Sequence, residues 1–232
     1  MTSVNLTNSS SSSVGIGLTS LRARKRLIEQ LRQMKIADEE VLEVVLSIPR
    51  HEFLEEALAS HAYDNAALPI GHGQTISQPS TVALMTTKLR EKFPEGLGNV
   101  LEIGTGCGYQ ASIIAAFSKQ VISIERIKQL HYAARDRLYD LKIRNVKCLH
   151  ADGFLGCDDY APYDGILAAA VSEDVPEVLI EQLSEKGRLV MPVHVNDSQD
   201  QHLIVTDKTS TGLKQQRLDV VAFVPRVSGI VK

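Results

Sequence analysis

The sequence predicts an open, doubly wound α/β fold. Its mostly parallel seven-stranded sheet carries helices on both faces and is preceded by an N-terminal helical extension. Three observations predict it. From residue 99 onward, short continuous apolar runs alternate with stretches of helical periodicity, the pattern of strands buried on both faces. The first run, NVLEIG (99–104), passes straight into glycines at positions 104, 106 and 108. The second, QVISIE (120–125), ends in a carboxylate, Glu125.

The elements follow in order. Residues 1–17 are serine-rich, a composition that cannot support a packed core, and are expected to form a flexible tail. The remainder, 18–232, is expected to be one domain, with helices and a loop over 18–95 and the α/β core over 96–232. Leu21, Leu27, Ile28, Leu31 and Met34 recur at helical spacing behind Thr19 or Ser20 as N-cap. A second helix starts near Asp38 and ends before Pro49, because proline disfavours a helical residue ahead of it. HEFLEEALAS (51–60) reads as a short third helix. Pro79 suits the first turn of a fourth, whose apolar stripe is Val82, Met85 and Leu89. ASIIAAF and the series Ile127, Leu130, Ala134, Leu138 and Leu141 supply the helices between strands. VKCLH, DGILAAA, RLVMPV, HLIVTD and RLDVVAFV supply five further strands. The last strands succeed one another without helices, so at least one antiparallel pairing is expected there.

Composition narrows the function. The chain has 232 residues, 44% apolar and 23% charged, with net charge -3, which gives no electrostatic footprint for nucleic acid. The basic run RARKR (22–26) is short and lacks aromatics, and reads as a solvated helix face. Cys107, Cys148 and Cys157 are odd in number and unevenly spaced. They suggest neither a disulfide framework nor a zinc site, and suit a reducing cytoplasm. No run approaches the ~20 apolar residues of a membrane span. The first residues lack the charged and apolar regions of a signal peptide.

The glycines carry the first chemical hint. In VLEIGTGCGY (100–109) they occupy a strand-to-helix turn, where glycine permits positive φ and close backbone approach to a ligand. Glu125, twenty-one residues after Gly104, can accept hydrogen bonds from ribose hydroxyls, as in Rossmann-like folds. The spacing is G-x-G-x-G, with Tyr109 where a dinucleotide fingerprint would place its last glycine. Glu102 adds an acid near the loop, suited to a cationic ligand and unwelcoming to a pyrophosphate. These features favour S-adenosyl-L-methionine over a nicotinamide cofactor. Asp152 and Gly153, after VKCLH, are either an ordinary Asp-Gly turn or an acceptor for adenine's exocyclic amine.

ALPIGHGQTISQPS (67–80) carries the second hint. Thr75, Ser77 and Gln78 offer hydrogen-bonding groups among turn-forming glycines and prolines. The stretch is either a connector whose hydroxyls cap the next helix or a receiver for an anion at that helix's N-terminus. Ser77 sits in no G-x-S-x-G elbow. His72 reads as a solvated loop residue more than as a base for it.

LEIGTGCGYQ, VISIERI, ADG, PYDGIL and QLSEKGRLVMPV resemble class I S-adenosylmethionine-dependent methyltransferases. YDNAALPIGHGQTISQP, VLEIGTGCGYQ and FVP together resemble the protein-L-isoaspartate O-methyltransferase family, from about residue 21 to residue 229. The resemblance implies a cytosolic, S-adenosyl-L-methionine-dependent repair enzyme. It would methylate the free α-carboxylate of isoaspartyl residues in damaged proteins and peptides, release S-adenosyl-L-homocysteine, and start repair through a succinimide. It places the active-site serine on Ser77. It places cofactor contacts on Gln74, Thr75, Ile76, Ser77, the loop Gly104, Thr105, Gly106 and Gly108 with Glu102 before it, Glu125, Arg126, Asp152 and Gly153. No metal, nucleic acid or membrane partner is implied, and a monomer is favoured.

The α-carboxylate has an ordinary pKa of about 3.3–3.7 and is ionised at neutral pH, so no general base is needed. In-line positioning can contribute ~7–11 kcal/mol, and Ser77 is assigned to orientation. The chain departs from the family pattern at Ser80, at Val171-Ser172-Glu173 and at Ala222. Those departures keep two alternatives open, a methyltransferase for another carboxylate or small molecule and a cofactor-binding module without isoaspartyl activity.

Overall fold

The computed structural model describes residues 19–194, 200–225 and 227–231; the expected tail lies outside them. Helix α1 spans Leu21–Met34, with the Ser20 hydroxyl accepting from the Ala23 N–H. Helix α2 spans Glu39–Ser47, with Asp38 accepting from the Val41 N–H at 2.8 Å. Both use the capping chemistry their sequences advertise. Their apolar faces, including Leu27, Leu31, Leu42 and Val45, share one core with Tyr109 and Ile113 of the sheet-covering layer. Each such side chain contributes about 1.5–3 kcal/mol when fully buried, which anchors the extension against the sheet layer.

The expected third helix is instead two 3-10 turns, Arg50–Phe53 and Glu56–His61. Leu54 between them is extended (φ -120°, ψ 161°). That extended residue interrupts the helical hydrogen bonding, and both Phe53 and Leu54 are buried at the break. A two-stranded ribbon then follows, β1 (Leu68–Pro69) antiparallel to β2 (Thr75–Ile76). Helix α3 (Pro79–Arg90) buries Val82, Met85 and Leu89, with Pro79 in the first turn.

The main sheet has seven strands: β3 (Leu97–Ile103), β4 (Ser118–Glu125), β5 (Val146–His150), β6 (Tyr163–Ala168), β7 (Leu183–His194), β8 (Gln201–Thr209) and β9 (Gly212–Val221). Their spatial order is β5-β4-β3-β6-β7-β8-β9. The contacts β4–β5, β3–β4, β3–β6 and β6–β7 are parallel. Those of β7–β8 and β8–β9 are antiparallel. Helices α4 (Tyr109–Ala115), α5 (Lys128–Asp140) and α6 (Glu177–Glu181) make the connections. The chain runs outward from β3 to β5 and returns on the other side as β6. A switch point therefore opens beyond the carboxyl ends of β3 and β6, where ligands bind in such sheets.

Strand β9 begins five residues before the expected RLDVVAFV run and stops short of Ala222. Its first half, Lys214, Gln215 and Gln216, pairs with β8 through backbone bonds while carrying polar side chains at an edge. An apolar pattern could not reveal it. Helix α6 and the β1–β2 ribbon were likewise not anticipated. Among the described residues, no helix is long and apolar enough to cross a membrane.

Candidate active site

The switch point opens into a cleft of about 390 Å³. The glycine loop forms its floor. Gly104 and Gly106 have φ of 92° and 54°, conformations that an L side chain resists. The Gly106 N–H donates to Glu125 Oε2 at 2.8 Å, and the Ile127 N–H donates to Oε1 at 2.9 Å. Glu125 is thereby fixed at the end of β4, with a lone pair on each oxygen still available. Thr105 is turned beneath the loop, its hydroxyl 2.5 Å from that of Ser123.

Asp152 lies just past the end of the neighbouring strand, β5. Its Oδ1 accepts from the Phe154 N–H at 2.8 Å, and its Oδ2 from the Gly229 N–H at 2.6 Å. The Asp-Gly turn and the ligand-facing position are therefore both real, since Asp152 caps a short turn while lining the cleft. At Gly153 an added Cβ would lie 2.6 Å from Ile103 Cγ2, so close strand-to-turn packing requires glycine. The segment around Gly229 crosses this end of the cleft. The Arg126 Nε–H donates to the Gly229 carbonyl at 3.0 Å, and Val231 pairs with Ile127.

The opposite wall is the stretch 67–80. Gly71, His72 and Gly73 are successive left-handed residues with φ of 84°, 53° and 68°. They turn the β1–β2 ribbon and carry Gln74–Gln78 into the cleft. Gln78 is the N-cap of α3 but makes no side-chain cap. The Ser77 hydroxyl has no hydrogen-bond partner among the described residues and lines the cleft. The helix-capping reading of these side chains thus finds no support. His72 is exposed and contacts the cleft only through its neighbours, its carbonyl accepting from Gln74 Nε2 at 3.4 Å. The helix N-terminus is narrower as a donor than expected. Pro79 has no N–H, and the Ser80 N–H donates to Asn65 Oδ1 at 2.9 Å. That leaves the Thr81 N–H as the one of this turn that no described residue takes up. Ser80 is buried and serves this junction.

Gln74, Thr75, Ile76, Ser77, Gly104, Thr105, Gly106, Glu125, Arg126, Asp152 and Gly153 all line the one cleft. Glu102 and Gly108 do not. Glu102 is wholly buried behind the glycine loop, accepting from the Ser123 hydroxyl. Burial pushes its carboxyl up to about 8, with the charge of Glu125 adding and the Ser123 bond opposing. At neutral pH it is mostly a neutral acid, unlike the anionic group expected from sequence. Gly108 begins α4 with φ 90°, and an added Cβ would press on Ala134 and Leu138 of α5. Its role is helix packing. Glu173 is exposed and does not line the cleft, whereas Ala169, Ala170 and Ala222 do. Tyr109, Gln110 and Thr81 also line it and were not singled out. Only tertiary placement brings them there, although Tyr109 and Gln110 directly follow the glycine loop.

The lining fits a cationic nucleoside better than a pyrophosphate. Its acids are Glu125 and Asp152, and its one cation among the described residues, Arg126, already bonds a backbone carbonyl. Apolar Ile76, Ile124, Ile127 and Phe223 complete a wall that can hold an uncharged ring system.

Comparison with known proteins agrees with this geometry. The family model for protein-L-isoaspartate(D-aspartate) O-methyltransferase matches residues 22–230. A protein-L-isoaspartate O-methyltransferase of Alcanivorax borkumensis is 50% identical over 218 residues, covering 94% of this chain and 97% of its own. That of Methylobacillus flagellatus is 47% identical over 223 residues, covering 95% and 99%. Among solved structures, a Plasmodium falciparum protein assigned to the same activity was crystallised with S-adenosyl-L-homocysteine. It superposes with a TM-score of 0.75 at 27% identity, covering 88% of this chain and 98% of its own.

Proposed function

The chain belongs to the protein-L-isoaspartate(D-aspartate) O-methyltransferase family, and from that membership we infer how its cleft divides the work of methylating an isoaspartyl α-carboxylate. S-adenosyl-L-methionine supplies the electrophilic methyl group and leaves as S-adenosyl-L-homocysteine. The acceptor is the free α-carboxylate of an L-isoaspartyl residue in a damaged protein or peptide. The resulting ester closes to a succinimide, whose hydrolysis returns some normal aspartate.

Glu125, Asp152 and the backbone of Gly104 and Gly106 form the cofactor half. Glu125 is held by two backbone donors and receives ribose hydroxyls on its remaining lone pairs. Gln74, Thr75 and Ile76 close that half from the ribbon side. Ser77 and the Thr81 N–H form the acceptor half, orienting a carboxylate that needs no base because it is already ionised. One hydroxyl and one amide suit this task. Denser solvation of the anion would stabilise the ground state and slow its conversion to a neutral ester. The free thiols Cys107, Cys148 and Cys157 suit a reducing cytoplasm. The net charge of -3 argues for peptide and protein substrates over nucleic acid, and a monomer contains every group named.

The observation that carries this reading is the unpartnered Ser77 hydroxyl facing the same cleft as Glu125 and the glycine loop. The test is methyl transfer from radiolabelled cofactor to an isoaspartyl peptide and to its ordinary aspartyl twin. Base-labile label on the isoaspartyl peptide alone is expected. Equal labelling of both peptides, or transfer to neither, would overturn the reading.

A further inference from the structure

A cation stands behind the acceptor wall with no anion among the described residues to match it. Arg50 begins the first 3-10 turn and is fully buried. Its guanidinium donates from Nη2 to the Ala66 carbonyl at 3.3 Å, while Nε and Nη1 have no hydrogen-bond partner among the described residues. Its Cζ lies 4.9 Å from the centroid of the Tyr109 ring. Tyr109 and Ala67 both line the cleft, so the charge sits one side chain and one peptide unit behind its surface. The groups that act on it are Tyr109, Cys107 and Tyr63. Two further cations contact Cys107 and Tyr63 in turn. Arg137 donates to the Cys107 carbonyl at 3.0 Å, and Arg24 lies over the Tyr63 ring. No carboxylate among the described residues forms an ion pair with Arg50.

Such an arrangement is expensive as packing. A guanidinium keeps its charge in proteins, and a buried charge without an ionic partner costs several kcal/mol that an apolar side chain of similar size would not. The cation–π contact with Tyr109 recovers only part of that cost. Meanwhile the acceptor half must receive a carboxylate, yet its lining among the described residues holds no lysine or arginine besides Arg126 at the cofactor end. Charge interactions are weakly screened in the interior, so a fixed cation behind the wall still acts on an anion in front of it. Set back, it also leaves the carboxylate oxygen's lone pairs free for attack, as a bidentate arginine in contact would not.

Resting on the acceptor reading above, we propose that Arg50 is a positioning residue for the isoaspartyl carboxylate, the buried counter-charge that draws the anion to the Ser77 side of the cleft through the Tyr109 wall. It binds charge that is full in the ground state and only partly lost in the transition state, so removing it raises KM and leaves kcat unchanged or modestly raised, never lowered.

The test uses the full chain, an isoaspartyl peptide, and the variants Arg50→Met and Arg50→Lys. For Arg50→Met, KM for the peptide is expected to rise about tenfold. Turnover and S-adenosyl-L-homocysteine affinity should stay within roughly threefold of wild type. Arg50→Lys keeps a charge, and near neutral pH its KM should lie closer to that of wild type. A buried ammonium loses its proton readily, so the ratio of KM for Arg50→Lys to that of wild type should climb between about pH 7 and 9. The titration of Glu102 near pH 8 is common to both proteins and cancels in that ratio. That window is clear of the neighbours. Burial pushes Tyr109 up to about 12 and raises Tyr63 and Cys107, and it lowers His51, which bonds Tyr63. An unchanged KM for Arg50→Met, or a parallel fall of turnover and S-adenosyl-L-homocysteine affinity, would overturn the proposal. If Arg50→Met fails to fold, the lysine series decides, and a KM ratio independent of pH overturns it. Wild type that methylates no isoaspartyl peptide would instead bring down the acceptor reading itself.

Discussion

The two halves of the cleft handle their polar groups in opposite ways. At the cofactor half, the backbone already engages the carboxylates: Glu125 through Gly106 and Ile127, Asp152 through Phe154 and Gly229. At the acceptor half, the Ser77 hydroxyl and the Thr81 N–H have no partner among the described residues, and behind the wall neither do Arg50 Nε and Nη1 or the Tyr109 hydroxyl. The ligand-facing carboxylates of the first half are wired before any ligand arrives, and among the described residues only Glu102 Oε1, buried behind the loop, lacks a partner there. Little ordering is therefore left to oppose cofactor binding. In the second half an anionic ligand can take up the Ser77 hydroxyl and the Thr81 N–H directly, while the set-back Arg50 can meet it only through its charge. Stability and affinity therefore concentrate at one end, and selectivity for an anion at the other.

Breaking the wired half should produce the largest effect. Glu125→Ala removes the acceptor of two N–H groups as well as the ribose contact. Each hydrogen bond to a charged group is worth about 1.5–3 kcal/mol, so affinity for S-adenosyl-L-homocysteine should fall at least ~hundredfold by calorimetry. A loss under about threefold would mean the loop holds its shape without Glu125, and the contrast between the halves would disappear. Ser77→Ala probes the unwired half. The hydroxyl that holds the carboxylate oxygen in line with the methyl group is lost, so turnover on an isoaspartyl peptide should drop by ~ten- to hundredfold. Affinity for S-adenosyl-L-homocysteine should meanwhile stay within about threefold. A Ser77→Ala enzyme with wild-type turnover removes the hydroxyl from the mechanism.

The same contrast explains what could be read from the amino-acid sequence. The cofactor half is local in sequence. A strand, a glycine turn and a carboxylate at the next strand's end are fixed by spacing alone, and six of the seven sheet strands fall on apolar runs that could be recognised. The seventh, β9, falls on one only in its second half, because its first half carries Lys214, Gln215 and Gln216, polar because they lie on an edge. The acceptor half is assembled from distant positions. Family resemblance marked Ser77, but nothing about Arg50 in PRHEF distinguishes it from a surface arginine until the fold buries it against Tyr109. Asn65, which takes the Ser80 N–H, is equally silent in sequence. Glu102 fails in the other direction. Its place in the strand suggested an anion near the ligand, and the alternation of strand faces put it behind the loop.

That buried acid gives a smaller and separate measure of how the cofactor half is held. Glu102, Ser123 and Thr105 form a hydrogen-bonded chain from β3 through β4 to the glycine loop. Burial raises the Glu102 carboxyl from an ordinary 4.5 to about 8. Below pH 4.5 it is protonated in folded and unfolded chains alike. As pH rises from there, the unfolded chain releases the proton first, so the group's contribution to stability declines until the folded carboxyl also ionises near pH 8. The slope cannot exceed about 1.4 kcal/mol per pH unit. Glu102→Gln has nothing to ionise and can keep a hydrogen bond to Ser123. Urea unfolding at pH 6 and pH 7 should therefore show the variant gaining on wild type by about 1 kcal/mol between the two. A constant difference would mean that Glu102 ionises in the fold as it does in the unfolded chain. The loop would then rest on a buried anion, and the cofactor half would carry an uncompensated charge like its neighbour, erasing the distinction between them.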